Sequence, residues 1–392
     1  MNVPTVPNLG AVLRSVLERG LLKVCAAHRK ILGALAACRT PALGGHWYRC
    51  TQCGQEHFVP HSCRNRHCPQ CQGAAALAWL ERQEAVLLPI PYFHLVFTLP
   101  HALNPLIRQN RRALLNLLFA AASQTLLKFG RNELQAQIGL TAVLHTWGQT
   151  LVDHYHLHCI VTGGGLALEG SGWVKSSGHY LFSVRALSEV FSGKFRAGVR
   201  ALYEQGALEF HGQLAALGTP EAFARFLGEL RPQKWVVYAK RPLAGPKQVL
   251  AYLSRYTHRV AISNARLRAA ADQTVTFAYK DYADGHRRKT MSLGIEEFAR
   301  RFCLHLLPER FVKIRHYGLL GNRDRQARIE RARQALGVTE QPAAPATEAV
   351  AVLGEEAPRL RCPHCGAWAL VWIAEQPPLR GPRPTVEIRD SS

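Results

Sequence analysis

The spacing of apolar residues predicts helices in the N-terminal third of the chain. Leucine, valine and alanine recur every three or four residues over residues 11–37 and again over residues 74–88, as they do on one face of a helix. Gly20 is expected to divide the first stretch into a pair of helices, and Pro89 to end the second. A longer helix is predicted over residues 105–129.

Strands are predicted where apolar and polar residues alternate. Four such runs are residues 92–99, 143–147, 155–162 and 234–240. Later in the chain, residues 274–281 are expected to pair with residues 287–293 across a turn at residues 283–285. Strands with intervening helices predict an α+β fold, with an antiparallel sheet covered by helices.

Three histidines at every second position mark the third of these strands. The period of two residues puts His154, His156 and His158 on one face, opposite an apolar face. Imidazoles at this spacing indicate a divalent-metal site, although a half-exposed strand could carry them without a metal. We predict His156 and His158 as ligands and His154 as the third, followed as candidates by His145 and a group from the tyrosine-bearing helix described next.

Two tyrosines about ninety residues later suggest what a metal would serve. Tyr252 and Tyr256 are one turn apart in a helix predicted over residues 248–259, so both project from nearly the same side. The basic residues beside them are Arg255, His258 and Arg259. A phenol has a pKa near 10, so it would need cations and a polarised phosphate to attack phosphorus. Packing in a core is the alternative role.

Paired cysteines predict a small metal-stapled module near the N-terminus. Cys50 and Cys53 are followed, after fourteen residues, by Cys68 and Cys71. Two such loops predict one structural zinc ion held by four thiolates. Cys63 and His67 lie between the two loops, with His46, His57 and His61 nearby, which leaves a second zinc ion or a different set of four ligands open.

A third Cys-x-x-Cys motif, Cys362 and Cys365, has no second pair after it. A lone pair binds zinc weakly, so it would need Cys303, His305 or another chain, and is otherwise a remnant.

The charge balance indicates a polyanionic partner. The 392 residues include 49 Lys and Arg against 27 Asp and Glu, a net charge of +22 with a pI near 10. Residues expected to contact DNA are Arg64, Arg66, Arg255, Arg259, Lys280, Arg288, Lys313 and Arg315.

No apolar run reaches the roughly 18 residues of a membrane span, and the N-terminus lacks the order of a signal peptide. We expect a soluble, cytoplasmic protein with no membrane partner.

The chain resembles transposases of the IS91 family, which includes the ISCR elements, within the HUH superfamily of single-strand endonucleases. The resemblance covers residues of about 28 to 320 and rests on specific runs. These are SCRNRHCPQCQ (62–72), YFHLVFTLP (92–100), HTWGQ (145–149), HLHCIVTGGG (156–165), YLSRY (252–256) and FVKIRHYG (311–318). It implies an HUH endonuclease fold and makes Tyr252 and Tyr256 the nucleophiles of rolling-circle transposition.

The implied activity is nicking and transfer of single-stranded DNA through a 5′-phosphotyrosine bond. Mg²⁺ or Mn²⁺ is expected at the histidines, although imidazoles would also hold zinc or copper, and Zn²⁺ in the N-terminal module. The partners are single-stranded DNA at the ends of a mobile element, target DNA and, because the chain has no P-loop motif, a host helicase. The alternatives are a plasmid or phage replication initiator and a non-catalytic zinc-dependent DNA-binding protein.

Four consecutive regions are predicted. Residues 1–90 would form the helical and zinc-binding module and residues 91–336 the catalytic domain. Residues 337–360, rich in Ala, Pro and Glu, are typical of a linker. Residues 361–392 would hold the unpaired cysteine motif and a disordered tail.

Overall fold

A computed structural model of the chain describes residues 7–177, 181–243, 248–249, 257–271, 273–338 and 360–379. The described residues divide into two compact units. Unit 1 draws on residues 1–74, 262–300 and 346–392, and unit 2 on residues 75–261 and 301–345. The four consecutive regions predicted from the sequence differ from this division, because residues 262–300 and the C-terminal cysteines group with the N-terminal module.

Unit 1 begins with the predicted helical pair. Helix α1 spans Leu9–Glu18 and helix α2 spans Ala26–Ala36. The side chain of Asn8 caps α1 by accepting a hydrogen bond of 2.9 Å from the Ala11 amide. Gly20 follows α1 with a φ of +62°, a conformation that favours glycine. The predicted break at Gly20 is therefore confirmed.

Two small antiparallel sheets complete unit 1. The first has strand β1 (Gly45–Cys50) at its centre, between β2 (Glu56–Pro60) and β12 (Leu370–Gln376). The second consists of β8 (Leu267–Ala270), β9 (Thr274–Asp281) and β10 (Arg287–Gly294). Arg287 lies opposite Asp281, which confirms the predicted hairpin. Helix α8 (Ile295–Cys303) follows β10 directly.

Unit 2 is built on a six-stranded sheet in which every pairing is antiparallel. The strand order is β11-β4-β5-β3-β7, with β6 paired to the end of β5. The strands are β3 (Tyr92–Thr98), β4 (Ala136–Trp147), β5 (Asp153–Ala167), β6 (Trp173–Lys175), β7 (Val236–Leu243) and β11 (Ile314–Gly318). This sheet with its helices and the cysteine-rich module confirms the predicted α+β class.

Strand β5 is longer than its alternating pattern suggested. It continues through Gly163–Gly165 to Ala167, beyond residue 162, where the predicted strand ends. A Cβ atom on Gly164 would lie 2.3 Å from the carbonyl oxygen of Val174 in β6, and one on Gly165 would lie 2.4 Å from that of Gln137 in β4. The glycines therefore allow close backbone approach within the sheet.

Helices cover the apolar face of this sheet. They are α4 (Asn104–Gln109), α5 (Arg111–Glu133), α6 (Val184–Glu204) and α7 (Pro220–Glu229), of which α5 and α6 line the main core. Helices α3 (Gln72–Glu84) and α9 (Arg325–Ala335) contribute instead to a second buried cluster. The single helix predicted over residues 105–129 is interrupted at Asn110, because its side chain bonds the backbone of Glu209 in both directions, at 2.7 and 2.9 Å. Among the described helices, α5 alone has the length and hydropathy of a membrane span, and it packs in this core.

The two faces of the sheet have different surroundings. Tyr155, Leu157 and Cys159 of β5 point into the main core with α5 and α6. The alternate positions, which hold the histidines, point to the opposite face. Ile160, on that second face, belongs to a separate buried cluster with residues of α3 and α9. The predicted division of β5 into an apolar and a histidine face is confirmed.

Candidate active site and metal centres

Three histidines from two neighbouring strands converge on the second face of the sheet. His145 of β4 lies directly opposite His156 of β5, and His158 is two residues further along β5. One ring nitrogen from each lies within 4.8 Å of the others. The ring centroids are 4.6 to 5.4 Å apart. The arrangement offers three nitrogen ligands to one cation.

His154, the predicted third ligand, is not a member of this cluster. Its Nδ1 lies 3.3 Å from Nε2 of His101, in the turn after β3. It lies beside the register shift between His145 and Trp147, where the β4–β5 pairing is irregular. His145, our second candidate from the sequence, takes the third place because strand pairing sets it opposite His156.

Neighbouring groups orient the ligand rings. Nδ1 of His156 donates a hydrogen bond of 2.8 Å to the backbone carbonyl of His154, which leaves Nε2 to face a cation. Nδ1 of His158 lies 2.9 Å from Nε2 of His94, and the two rings stack at 5.1 Å. His94 comes from β3 and is only 1% exposed. It therefore fixes the orientation of His158 from behind.

The surroundings of His156 and His158 favour their neutral form. Burial lowers the pKa of His158 to about 3, helped by His94 and by the charge of Arg259. Burial also sets the pKa of His156 well below its usual 6.5, with smaller contributions from its histidine neighbours. Only a neutral imidazole binds a metal, so His156 and His158 are in the form that could bind one at neutral pH.

Two cations accompany the histidines. Lys240 lies opposite His94 across the β3–β7 pair, and its charge contributes to the low pKa of His94 and His158. The charge of Arg259 contributes likewise at His156 and His158. Both side chains are exposed. A phosphate held at the histidines would meet positive charge from both.

Tyr252, Tyr256 and Arg255 lie outside the described residues. The described residues on either side, Val249 and His258, both contact one buried cluster. Val249 is fully buried in the cluster that contains Ile160, two residues from His158 on the same face. The ring of His258 lies 5.9 Å from Trp79 of the same cluster.

The N-terminal cysteines form a four-sulfur cluster different from the predicted one. Cys68 and Cys71 lie with Cys38 and Cys63, and the Sγ···Sγ distances are 3.5 to 3.7 Å. A zinc ion with Zn–S bonds of about 2.3 Å sets tetrahedral sulfurs about 3.8 Å apart, so the cluster fits zinc. The prediction that Cys50 and Cys53 complete this set is wrong. Sequence reasoning missed Cys38, which follows α2.

The opposite pKa shifts of two thiols in this cluster also favour a bound cation. The hydrogen bond with Cys63 lowers the pKa of Cys68 to about 5, while the same contact and burial raise the pKa of Cys63. Cys63 and Cys68 therefore do not ionise together unless a positive ion compensates their charge.

Cys50 and Cys53 lie instead with Cys362 and Cys365. The C-terminal pair is therefore not the unpartnered motif that the sequence suggested. It reaches Cys50 because β12, which follows Cys365, pairs with β1. The proposed partner His305 is instead held in unit 2, where its Nε2 lies 3.1 Å from the Leu151 carbonyl oxygen.

The predicted DNA contacts have unequal surroundings. Lys280 and Arg288 are exposed and directly opposite each other on the β9–β10 hairpin. Two like charges in that position repel each other, and a phosphate would relieve the repulsion. Arg64 is exposed, whereas Arg66 is half-buried and its pKa is lowered by that burial.

Arg315 and Lys313 are less available. The guanidinium of Arg315 lies 4.1 Å above the ring of Phe119 and donates to Oδ1 of Asn116 at 2.6 Å. It thus ties β11 to α5. Lys313 is half-buried, and its charge adds to burial in lowering the pKa of His258 to about 4.

Comparison with known families matches both parts of the chain. Residues 12–99 match a transposase zinc-binding domain and residues 139–328 match a family described as "Putative transposase". The first range includes Cys38, Cys63, Cys68 and Cys71. The second includes the three clustered histidines and both tyrosines.

Two curated relatives align over most of their length. "Putative transposase y4qJ" of Sinorhizobium fredii is 47% identical over 315 residues, which are 80% of this chain and 79% of the relative. "Transposase for insertion sequence element IS801" of Pseudomonas savastanoi pv. phaseolicola is 30% identical over 297 residues, or 74% and 69% of the two chains. No solved structure matches the chain.

Alanine substitutions should separate ligands from neighbours. We expect His145→Ala, like His156→Ala, to weaken Mn²⁺ binding by more than the roughly 10- to 100-fold that loss of an outer partner costs. His154→Ala should leave it nearly unchanged. Titration calorimetry with Mn²⁺ measures this, because thiolate clusters bind that hard ion poorly. Retained binding in His145→Ala with loss in His154→Ala would reverse the assignment.

The low pKa of His94 predicts a pH-dependent stability. Burial first, and then Lys240, lowers this pKa to about 3 in the folded chain, whereas the unfolded chain takes up the proton near pH 6.5. Stability is therefore lost as pH falls below 6.5. Between pH 6 and 4, the free energy of unfolding should fall less steeply with decreasing pH in His94→Gln than in the parent, by up to about 1.4 kcal/mol per pH unit. Urea unfolding with a chelator present measures this free energy at each pH. The exposed His211→Gln should keep the parent slope.

Proposed function

The chain belongs to the IS91 family of transposases, and we propose that it nicks and transfers single-stranded DNA through a 5′-phosphotyrosine intermediate in rolling-circle transposition. The observation that carries the proposal is the cluster of His145, His156 and His158 on one sheet face. Val249 and His258, which flank the two tyrosines in sequence, contact a buried cluster on that same face.

In the proposed reaction a phenol oxygen of Tyr252 or Tyr256 attacks the scissile phosphate. An O–P bond forms to the tyrosine while the bond from phosphorus to the 3′ oxygen breaks. The tyrosine proton leaves to solvent, and the departing 3′ oxygen takes up a proton to become a free hydroxyl. The bond energy stays in the phosphotyrosine, so rejoining to another 3′ hydroxyl needs no ATP.

His145, His156 and His158 would hold a divalent cation, Mg²⁺ or Mn²⁺. Such a cation supplies charge that polarises the phosphate oxygens and favours in-line displacement. The all-nitrogen donor set favours Mn²⁺ over Mg²⁺, because imidazole is a softer ligand than carboxylate. His94 and the carbonyl of His154 hold two of the rings in place.

The positive residues on the same face would bind the DNA backbone. Lys240 and Arg259 would position the phosphate and stabilise the phenolate form of the attacking tyrosine. The hairpin cations Lys280 and Arg288 would contact phosphates elsewhere on the strand. Without a P-loop in the sequence, strand separation would come from a host helicase, and the protein would act in the cytoplasm on the element's ends and its target.

Tyrosine-to-phenylalanine substitutions test the nucleophiles. The variant Tyr252→Phe with Tyr256→Phe keeps both rings and deletes both oxygens. It should fold and bind DNA but form no covalent adduct with a labelled single-stranded oligonucleotide from the element's end, on a denaturing gel with Mn²⁺. Tyr203→Phe is the control and should form adduct normally, because Tyr203 is in α6, where its ring stacks on Phe223 of α7. An adduct in the double variant would place the chemistry on another residue.

Lys280 and Arg288 of the β9–β10 hairpin should contribute to the salt dependence of single-stranded DNA binding. Each phosphate contact on single-stranded DNA contributes about 0.7 to the slope of log affinity against log salt. We expect Lys280→Gln and Arg288→Gln each to reduce the slope by about that amount in fluorescence anisotropy titrations. Arg185→Gln, in an exposed ion pair with Glu189, is the matched control. Unchanged slopes in both hairpin variants would remove the hairpin from the DNA path.

A further inference from the structure

The second cysteine cluster joins residues from opposite ends of the sequence. Cys53 and Cys362, 309 residues apart, have their sulfurs 3.8 Å from each other, and the sulfurs of Cys50 and Cys365 are 3.6 Å apart. These separations are far longer than a disulfide bond of about 2.05 Å. They match the sulfur separation of about 3.8 Å that a tetrahedral zinc ion imposes.

The two Cys-x-x-Cys loops have the same local structure. In each, a glycine with positive φ follows the second cysteine, Gly54 at +72° and Gly366 at +79°. The amide of each glycine donates to the carbonyl of the first cysteine of its loop, at 2.9 Å in both cases. Two matching loops that turn both thiols inward are the arrangement by which a structural zinc site collects four ligands.

Apolar burial that could hold the C-terminal segment is small. Along β12 only Leu370 is buried, while Trp372 is 59% exposed and Trp368, just before the strand, is 67% exposed. The small buried cluster beneath it consists of Cys50, Cys362, Ala369 and Leu370, so half of its members are the cysteines themselves. A three-stranded sheet with so small a core needs a metal or a covalent staple to be stable.

A neighbouring group supports metal-bound thiolates. Nε2 of His57 in β2 lies 3.3 Å from Sγ of Cys362. An imidazole N–H donated to a sulfur stabilises its thiolate, as outer-shell donors do in metal sites.

We propose that Cys50, Cys53, Cys362 and Cys365 bind a second structural zinc ion, which fastens the C-terminal strand β12 to the N-terminal module. Neither family match reaches residues 362–365. The ion completes a zinc ribbon in unit 1 from two segments that the rest of the chain separates. The proposal is independent of the tyrosine chemistry, since it concerns folding of unit 1 alone.

Zinc content of the purified full-length protein tests the site. By atomic absorption, Cys365→Ser should contain one zinc ion per chain fewer than the parent, and so should Cys68→Ser, which affects the other cluster. Cys365→His, which restores a ligand at an exposed position, should regain the ion. Cys25→Ser removes an exposed cysteine outside both clusters and should match the parent. Equal zinc content in Cys365→Ser and the parent would overturn the proposal.

A cleavage experiment tests the fastening without relying on metal counts. A protease recognition sequence is inserted between residues 339 and 359, and the purified protein is cut there under native conditions. The C-terminal fragment should co-elute with the remainder in zinc buffer and separate from it in chelator, and it should separate at once in the cut Cys365→Ser variant. A fragment that stays bound in chelator would show that the strand pairing alone holds it, and the zinc proposal would fail.

Discussion

The alternation of side chains along β5 is the constraint on which unit 2 depends. A strand presents successive residues to opposite faces. In β5 the apolar residues face the core, and the histidines alternate with them on the other face. Tyr155, Leu157 and Cys159 are fully buried against helices, so the strand cannot slip by one residue without exposing them. Burial of this apolar set thereby fixes His156 and His158 on the other face, next to His145.

Local patterns in the sequence predicted elements well, because helix and strand periods are properties of neighbouring residues. The hairpin of β9 and β10 and the faces of β5 followed from such patterns. Contacts set by strand register were predicted less well, and His145 ranked behind His154 as the candidate third ligand. His145 is the third member of the histidine cluster because β4 lies beside β5 in a particular register, and no local spacing encodes that register.

The cysteines show the same limit more clearly. Two adjacent Cys-x-x-Cys loops suggested one site by proximity in sequence, yet each loop lies with more distant cysteines. The sheet of β12, β1 and β2 lies on only a small buried cluster, so the proposed zinc ion would do there what the large apolar core does in unit 2. Which cysteines meet is decided by β12 returning to β1, a long-range pairing.

The positive charges of Lys240 and Arg259 act on both the histidines and the proposed DNA substrate. A cation near an imidazole disfavours its protonation, so Lys240 and Arg259 help to keep His158 neutral, while burial has the larger effect. The same two cations would attract a DNA phosphate and lower the cost of forming a phenolate. A carboxylate in their place would raise the pKa of the histidines and repel the phosphate. The net positive charge of the chain is therefore compatible with a metal site in the proposed mechanism, because the ligands are neutral and the substrate brings the negative charge.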